Sequence, residues 1–232
     1  MYIHITTKCN MRCAHCCMSC EPGKGVDMGL GTFRKALKVA GHHGEYVTLG
    51  GGEPTVHPRF EQFLFEAIGA PGVDGVWVIT NGKHKRRALM LAKLNGVLNG
   101  FGAELSTDHY HEPVDTEVFD AFRGRHRDVI RGGREPLAVG RGQDEVGMTF
   151  EEADPDCPCV DWSVMPDGTI LQCGCPNAPV VGNVNDGILP MYSYAASMCH
   201  RSEEFQEAIK EYLNNLFEPV TGAKYECVPV LA

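Results

Sequence analysis

The sequence has no apolar run near the ~20 residues that a membrane-spanning helix needs, so such a helix is not expected. Its first residues, Met1 to Cys9, contain no charged stretch followed by an apolar one. No secretory signal is read there, and a cytoplasmic location is the expectation. It has no excess of positive charge. A formal net charge of −9 argues against broad, sequence-independent nucleic-acid binding, which needs a basic surface. Internal repeats and low-complexity tracts are missing, which excludes a solenoid. No cysteine lies between Cys20 and Cys157.

What is present is an ordinary globular composition, 43% hydrophobic and 22% charged, in 232 residues. That length suits one core with a small appended module. Eleven cysteines is a high and odd count. Without a secretory signal, clustered thiols read as metal ligands or catalytic groups rather than a disulfide framework. They form two groups, Cys9, Cys13, Cys16, Cys17 and Cys20, then Cys157, Cys159, Cys173, Cys175, Cys199 and Cys227. Six of the twelve arginines fall between Arg123 and Arg141. That run reads as a solvated loop or a local anion site.

The first half alternates strand and helix patterns. Tyr2 to Thr6, Tyr46 to Leu49, Gly75 to Thr80 and Phe101 to Ser106 read as strands. Between them lie a helix capped by Thr32 and ended by Gly41 and Gly44, one opened by Pro58, and one over Lys85 to Leu98. Val114 to Phe122 is a fourth helix. Such alternation means right-handed crossovers and a parallel sheet, whose ligand site lies beyond the carboxyl ends of the strands. One or two more strands are expected in 123–156. Trp162 to Met165 and Ile170-Leu171 flank Asp167-Gly168 as a β-hairpin, and a last helix starts near Ser202.

The strongest chemical signal is Cys9-Asn10-Met11-Arg12-Cys13-Ala14-His15-Cys16, straight after the first strand. Three thiolates on one loop can wrap one side of an iron–sulfur cube and leave the fourth iron open. A zinc knuckle that takes Cys16, Cys17 or Cys20 as the fourth ligand is the alternative on this loop alone. Gly50-Gly51-Gly52-Glu53-Pro54-Thr55 follows the second strand, Thr80-Asn81-Gly82 ends the third, and Ser106-Thr107-Asp108 ends the fourth. Asp108-His109-Tyr110-His111-Glu112 reads either as a wall of a substrate pocket with a proton-moving histidine or as a solvated loop.

Together these motifs, over roughly residues 3–125, resemble the radical SAM superfamily. The resemblance implies a partial (β/α)6-type TIM barrel of α/β class over residues 1–150. It implies a [4Fe-4S] cluster on Cys9, Cys13 and Cys16 and bound S-adenosylmethionine (SAM). His15 would lie near the adenine. Gly51, Gly52, Glu53 and Pro54 would meet the amino group, and Asn81, Ser106 and Asp108 would complete the SAM site. It also implies an electron donor such as flavodoxin or ferredoxin, and a peptide or small-metabolite substrate. The arginine run motivates a nucleotide or nucleic acid instead, and a noncatalytic zinc or iron–sulfur module is the rival of another class. Cys157, ten residues, Gly168, four residues and Cys173 resemble the opening of the SPASM and twitch extensions. Residues 151–232 are then a small module of hairpin and helix. It would carry an auxiliary [4Fe-4S] cluster on Cys157, Cys173, Cys199 and Cys227, with zinc or free buried thiols as alternatives.

Overall fold

Alternating buried strands and one-sided helices dictate a layered sheet, and the computed structural model contains one. It describes residues 1–43, 45–123, 139–147 and 161–186, with the backbone of 130–131. The last helix expected from Ser202 lies outside the described residues, as do Cys157, Cys159, Cys199 and Cys227. The strands are β1 (Tyr2–Thr6), β2 (Tyr46–Gly51), β3 (Gly75–Thr80), β4 (Phe101–Ser106) and β5 (Ile130–Arg131). Each pairs in parallel with the next. Helices α1 (Leu30–His43), α2 (Phe60–Ile68), α3 (Lys85–Leu94) and α4 (Thr116–Phe122) make the crossovers. The sheet stays open, as in a partial barrel.

The apolar spacing of each helix becomes its buried face. Phe33, Ala36, Leu37 and Ala40 of α1 share one core with Phe60, Phe63 and Leu64 of α2, Ala88 and Leu91 of α3, and Val118 and Phe122 of α4. Phe33 and Phe63 stack at 4.1 Å and lock α1 to α2. Each such fully buried large side chain contributes roughly 1.5–3 kcal/mol.

Several boundaries differ from the sequence expectation for physical reasons. Helix α1 begins at Leu30 and runs through Gly41 to His43. Gly41 does not end it; a Cβ there would stand 2.2 Å from the Pro71 carbonyl oxygen, so the missing side chain serves a close approach. Helix α3 stops at Leu94 because Asn95 turns extended and its amide donates to the Ala103 carbonyl at 3.0 Å. Helix α4 starts only after Asp115, whose carboxylate caps the Glu117 N–H.

The hairpin forms at the expected place. β6 (Ser163–Val164) and β7 (Thr169–Leu171) pair antiparallel around a turn with Gly168 at φ 93°. Two features were not read from the sequence. A further strand, β8 (Val180–Asn183), pairs antiparallel with β7. β6 also pairs in parallel with β1, so the sheet order is β5-β4-β3-β2-β1-β6-β7-β8. The Tyr2 N–H donates to the Trp162 carbonyl at 2.7 Å, and the His4 ring bonds the Ser163 hydroxyl at 2.8 Å. Among the described residues, a sixth parallel strand therefore adds beside β1, and the hairpin extends the core sheet itself.

Candidate functional site

Four loops meet at the carboxyl ends of β1 to β4. The first carries the three spaced thiols. Met11 is fully buried and anchors the loop, while Cys13 is buried and Cys9 and Cys16 are partly exposed. Backbone N–H groups are aimed at sulfur. Met11 donates to Cys9 Sγ and Cys20 to Cys16 Sγ, each at 3.4 Å. Burial pushes the Cys13 thiol up to about 11 and also raises Cys9. Cys16 is held below its ordinary range, first because the Cys20 side chain hydrogen-bonds it, and Cys20 is driven up in turn.

The spacing of these thiols bears on which metal they suit. One tetrahedral zinc would draw its sulfurs to about 4 Å of one another. Among the described residues, only His15, Asp108 and His111 bring three ligand atoms within 4.8 Å of one another. Cys9, Cys13 and Cys16 do not form such a set. The N–H groups directed at sulfur favour the thiolate form, which both an iron–sulfur cluster and a zinc ion take.

The glycine run after β2 is placed by contacts with the first loop. Gly51 sits at φ 135° at a register shift between β1 and β2. A Cβ on Gly51 would lie 2.0 Å from the Thr6 carbonyl oxygen, and one on Gly52 2.2 Å from that of Lys8. Gly52 and Glu53 donate their N–H groups to Thr6 and Lys8, each at 2.9 Å. The close approach these glycines permit is therefore to the thiol-bearing loop. Pro54 is buried and opens a single 3-10 turn, Pro54–Val56.

Glu53 points inward and is 1% exposed. Its carboxylate accepts from the Thr55 N–H at 3.0 Å and hydroxyl, from the Thr80 hydroxyl at 2.7 Å, and from the Asn81 N–H at 2.7 Å. Burial, the largest cause, still raises its pKa. The Asn81 amide donates to Asn10 Oδ1 at 2.9 Å and to Cys9 Sγ at 3.8 Å. Sequence reasoning found both residues but not this relay, because a motif does not say which way a side chain turns.

The loop after β4 folds back on the first loop. Ser106, half-buried, ends β4. Asp108 accepts from the Tyr110 N–H and bonds His111 Nδ1, both at 2.8 Å, and lies 3.6 Å from His15 Nε2. The His15 ring is 4.9 Å from those of both Tyr110 and His111. Its Nδ1 is buried without a hydrogen-bond partner. Burial lowers the His15 pKa, against the pull of Asp108. This loop is thus packed onto the site and is not simply solvated.

Residues 3–133 match the Radical SAM superfamily. The chain belongs to this superfamily.

Curated relatives include GTP 3',8-cyclase of Chlorobaculum tepidum, 29% identical over 54% of this chain and 36% of its own length. S-adenosylmethionine-dependent nucleotide dehydratase of a Thermoplasmatales archaeon is 32% identical over 55% of this chain and 44% of its own. The subtilosin biosynthesis protein AlbA of Bacillus subtilis is 28% identical over 52% and 26%. The chain thus spans less than half the length of these relatives. Among solved structures, BtrN in complex with AdoMet and 2-DOIA has a TM-score of 0.57 at 14% identity, covering 90% of this chain and 84% of that one. anSMEcpe with AdoMet and a peptide has a TM-score of 0.55 at 14% identity, covering 90% and 82%. At such identity the likeness is one of fold.

Two arrangements in this radical SAM chain go beyond the sequence expectation. Cys173 and Cys175 are buried in a second apolar cluster with Val139, Leu171 and Ala178, and Cys17 packs against it. Burial, the largest cause, pushes the Cys17 thiol up to about 11, and the Cys175 sulfur adds to the rise. Arg141, expected in a solvated or anion-binding run, is instead buried against the thiol loop. It opens α5 (Arg141–Asp144).

Proposed function

We propose that the chain acts as a radical SAM enzyme core, in which Cys9, Cys13 and Cys16 hold a [4Fe-4S] cluster whose fourth iron is left to SAM. The observation that carries this reading is convergence. The C-x3-C-x2-C loop, the Gly-Gly-Glu turn, Asn81 and Asp108 meet at the ends of four adjacent parallel strands. When bound, the cluster supplies one electron that splits SAM into methionine and a 5′-deoxyadenosyl radical, which takes hydrogen from a carbon of the substrate.

The residues have distinct work in this reading. Asn81 and the Met11 and Cys20 N–H groups direct donors at sulfur, which stabilises the thiolate form. The Glu53 carboxylate is taken up by Thr55, Thr80 and Asn81. The SAM ammonium then falls to the backbone of the Gly51-Gly52 turn, with Glu53 acting through that turn and Pro54 fixing its exit. His15, with an unpaired Nδ1 and a ring among aromatic neighbours, suits the adenine. Ser106 and Asp108 suit the ribose side. The packed loop narrows solvent access to the site, which limits side reactions of a radical.

For the substrate, the reading is a peptide or small metabolite, with reducing power from a flavodoxin or ferredoxin. Residues 1–150 carry the SAM-binding loops, and β6, in the second part, adds to the same sheet. Residues 151–232 form a twitch-like module whose auxiliary [4Fe-4S] cluster takes Cys157, Cys173, Cys199 and Cys227. Cys173 lies just beyond β7, buried in one cluster with Cys175. A nucleotide substrate is the second reading, favoured by the names GTP 3',8-cyclase and nucleotide dehydratase among the relatives. The test is 5′-deoxyadenosine formation by the anaerobically reconstituted chain with dithionite and SAM, alone and with a peptide pool or nucleoside triphosphates. Stimulation by peptides alone supports the first class, and by nucleotides alone the second. No 5′-deoxyadenosine under any condition contradicts the reading.

A further inference from the structure

The thiol loop is gripped from far along the chain. Arg141 Nε donates to the Cys13 carbonyl at 3.0 Å, and a terminal guanidinium nitrogen donates to the Cys20 carbonyl. The Arg141 backbone N–H donates to the Cys16 carbonyl at 3.1 Å. These carbonyls span the stretch that carries two of the three loop thiols. The preceding residue must be small, because Gly140 sits at φ 55° and a Cβ there would stand 2.3 Å from the Cys17 carbonyl oxygen. At the far end of α5, Glu145 bonds Arg12 of the same loop. A guanidinium buried to 6% exposure needs acceptors, and here the described acceptors are the loop carbonyls.

We infer that Arg141 is a positioning residue for the cluster, fixing the loop between Cys13 and Cys20 and placing a cation against the loop that would hold it. This rests on the cluster-binding reading above. A fork of donors can hold two carbonyls at once, which a single ammonium does less well. Reduction adds a negative charge to the cluster, so a nearby cation favours the reduced state, and cluster potentials follow local charge and hydrogen bonding.

The test reconstitutes the full chain as wild type, Arg141→Gln and Arg141→Lys under anaerobic conditions. Iron per chain and the midpoint potential are followed by electron paramagnetic resonance. Arg141→Gln should lower the equilibrium constant for cluster reduction at least tenfold, about 59 mV for one electron. Arg141→Lys should keep the potential within threefold of wild type in that constant while retaining less iron. A wild-type potential in Arg141→Gln overturns the inference, even where iron is lost, because the role is then merely structural. Should Arg141→Gln hold no cluster, Arg141→Lys decides: a potential within threefold of wild type in that constant supports the inference, and a larger shift, or no cluster in that variant either, overturns it. A wild type that takes up no [4Fe-4S] cluster contradicts the underlying reading instead.

Discussion

The buried Glu53 carboxylate accepts a hydrogen bond from the Asn81 N–H at 2.7 Å, and the Asn81 amide reaches Cys9 Sγ at 3.8 Å. This relay ties the ends of β2 and β3 to the loop after β1. Glu53 is therefore part of the scaffold that orders the site. Replacing it by Ala should strand the Thr80 hydroxyl and the Asn81 N–H in a buried place. The expected cost is about 2–6 kcal/mol, at 1–3 kcal/mol for each of the two stranded groups. Urea unfolding of the metal-free chain measures it. A variant as stable as wild type but weak in SAM binding would mean that Glu53 serves the ligand alone.

The glycines of the same turn make a second, separable prediction. Gly51→Val and Gly52→Ala each place a side chain within 2.2 Å of a backbone oxygen of the thiol-bearing segment. Both variants should lose iron on reconstitution, and SAM affinity should fall with it. Full iron content with only SAM binding impaired would show that the turn faces the ligand and not the loop.

His4 gives a pH dependence. It is fully buried, its ring bonds Ser163, and burial lowers its pKa to about 4. In the unfolded chain it titrates near 6.5. The unfolded state therefore binds more protons between those values, and stability falls as pH drops through that window. From pH 7 to pH 5 this one group should cost about 2 kcal/mol. His4→Gln should flatten the slope by about that amount, measured by urea unfolding at the two pH values. An unchanged slope would place the acid sensitivity elsewhere.

How far the site was legible in sequence depended on how local each signal is. The thiol spacing, the Gly-Gly-Glu turn and the strand-end motifs are short runs, and each fell at the end of the expected strand. Asp167-Gly168 located its hairpin for the same reason. The pairing of β6 with β1 joins residues about 160 apart, and two-residue strands carry no periodicity that names a partner. β8 was missed because Val180–Asn183 is short and holds Gly182. Arg141 was hidden in a run of arginines, where charge alone reads as solvent exposure; the glycine just before it was the available hint.

The second cysteine group makes a stoichiometric prediction. With an auxiliary cluster, the reconstituted chain should carry about eight irons, against about four for one cluster. Cys157→Ala/Cys173→Ala should reduce that to about four while the SAM-dependent change in the first cluster's spectrum persists. About four irons and one zinc in the wild type would make the module a zinc site.

The central claim is that Cys9, Cys13 and Cys16 carry the reaction. Each is changed singly to Ala, and 5′-deoxyadenosine formed from SAM with dithionite is measured on protein of verified fold. Each variant should fall to background. Near wild-type turnover in any one of the three would contradict the account.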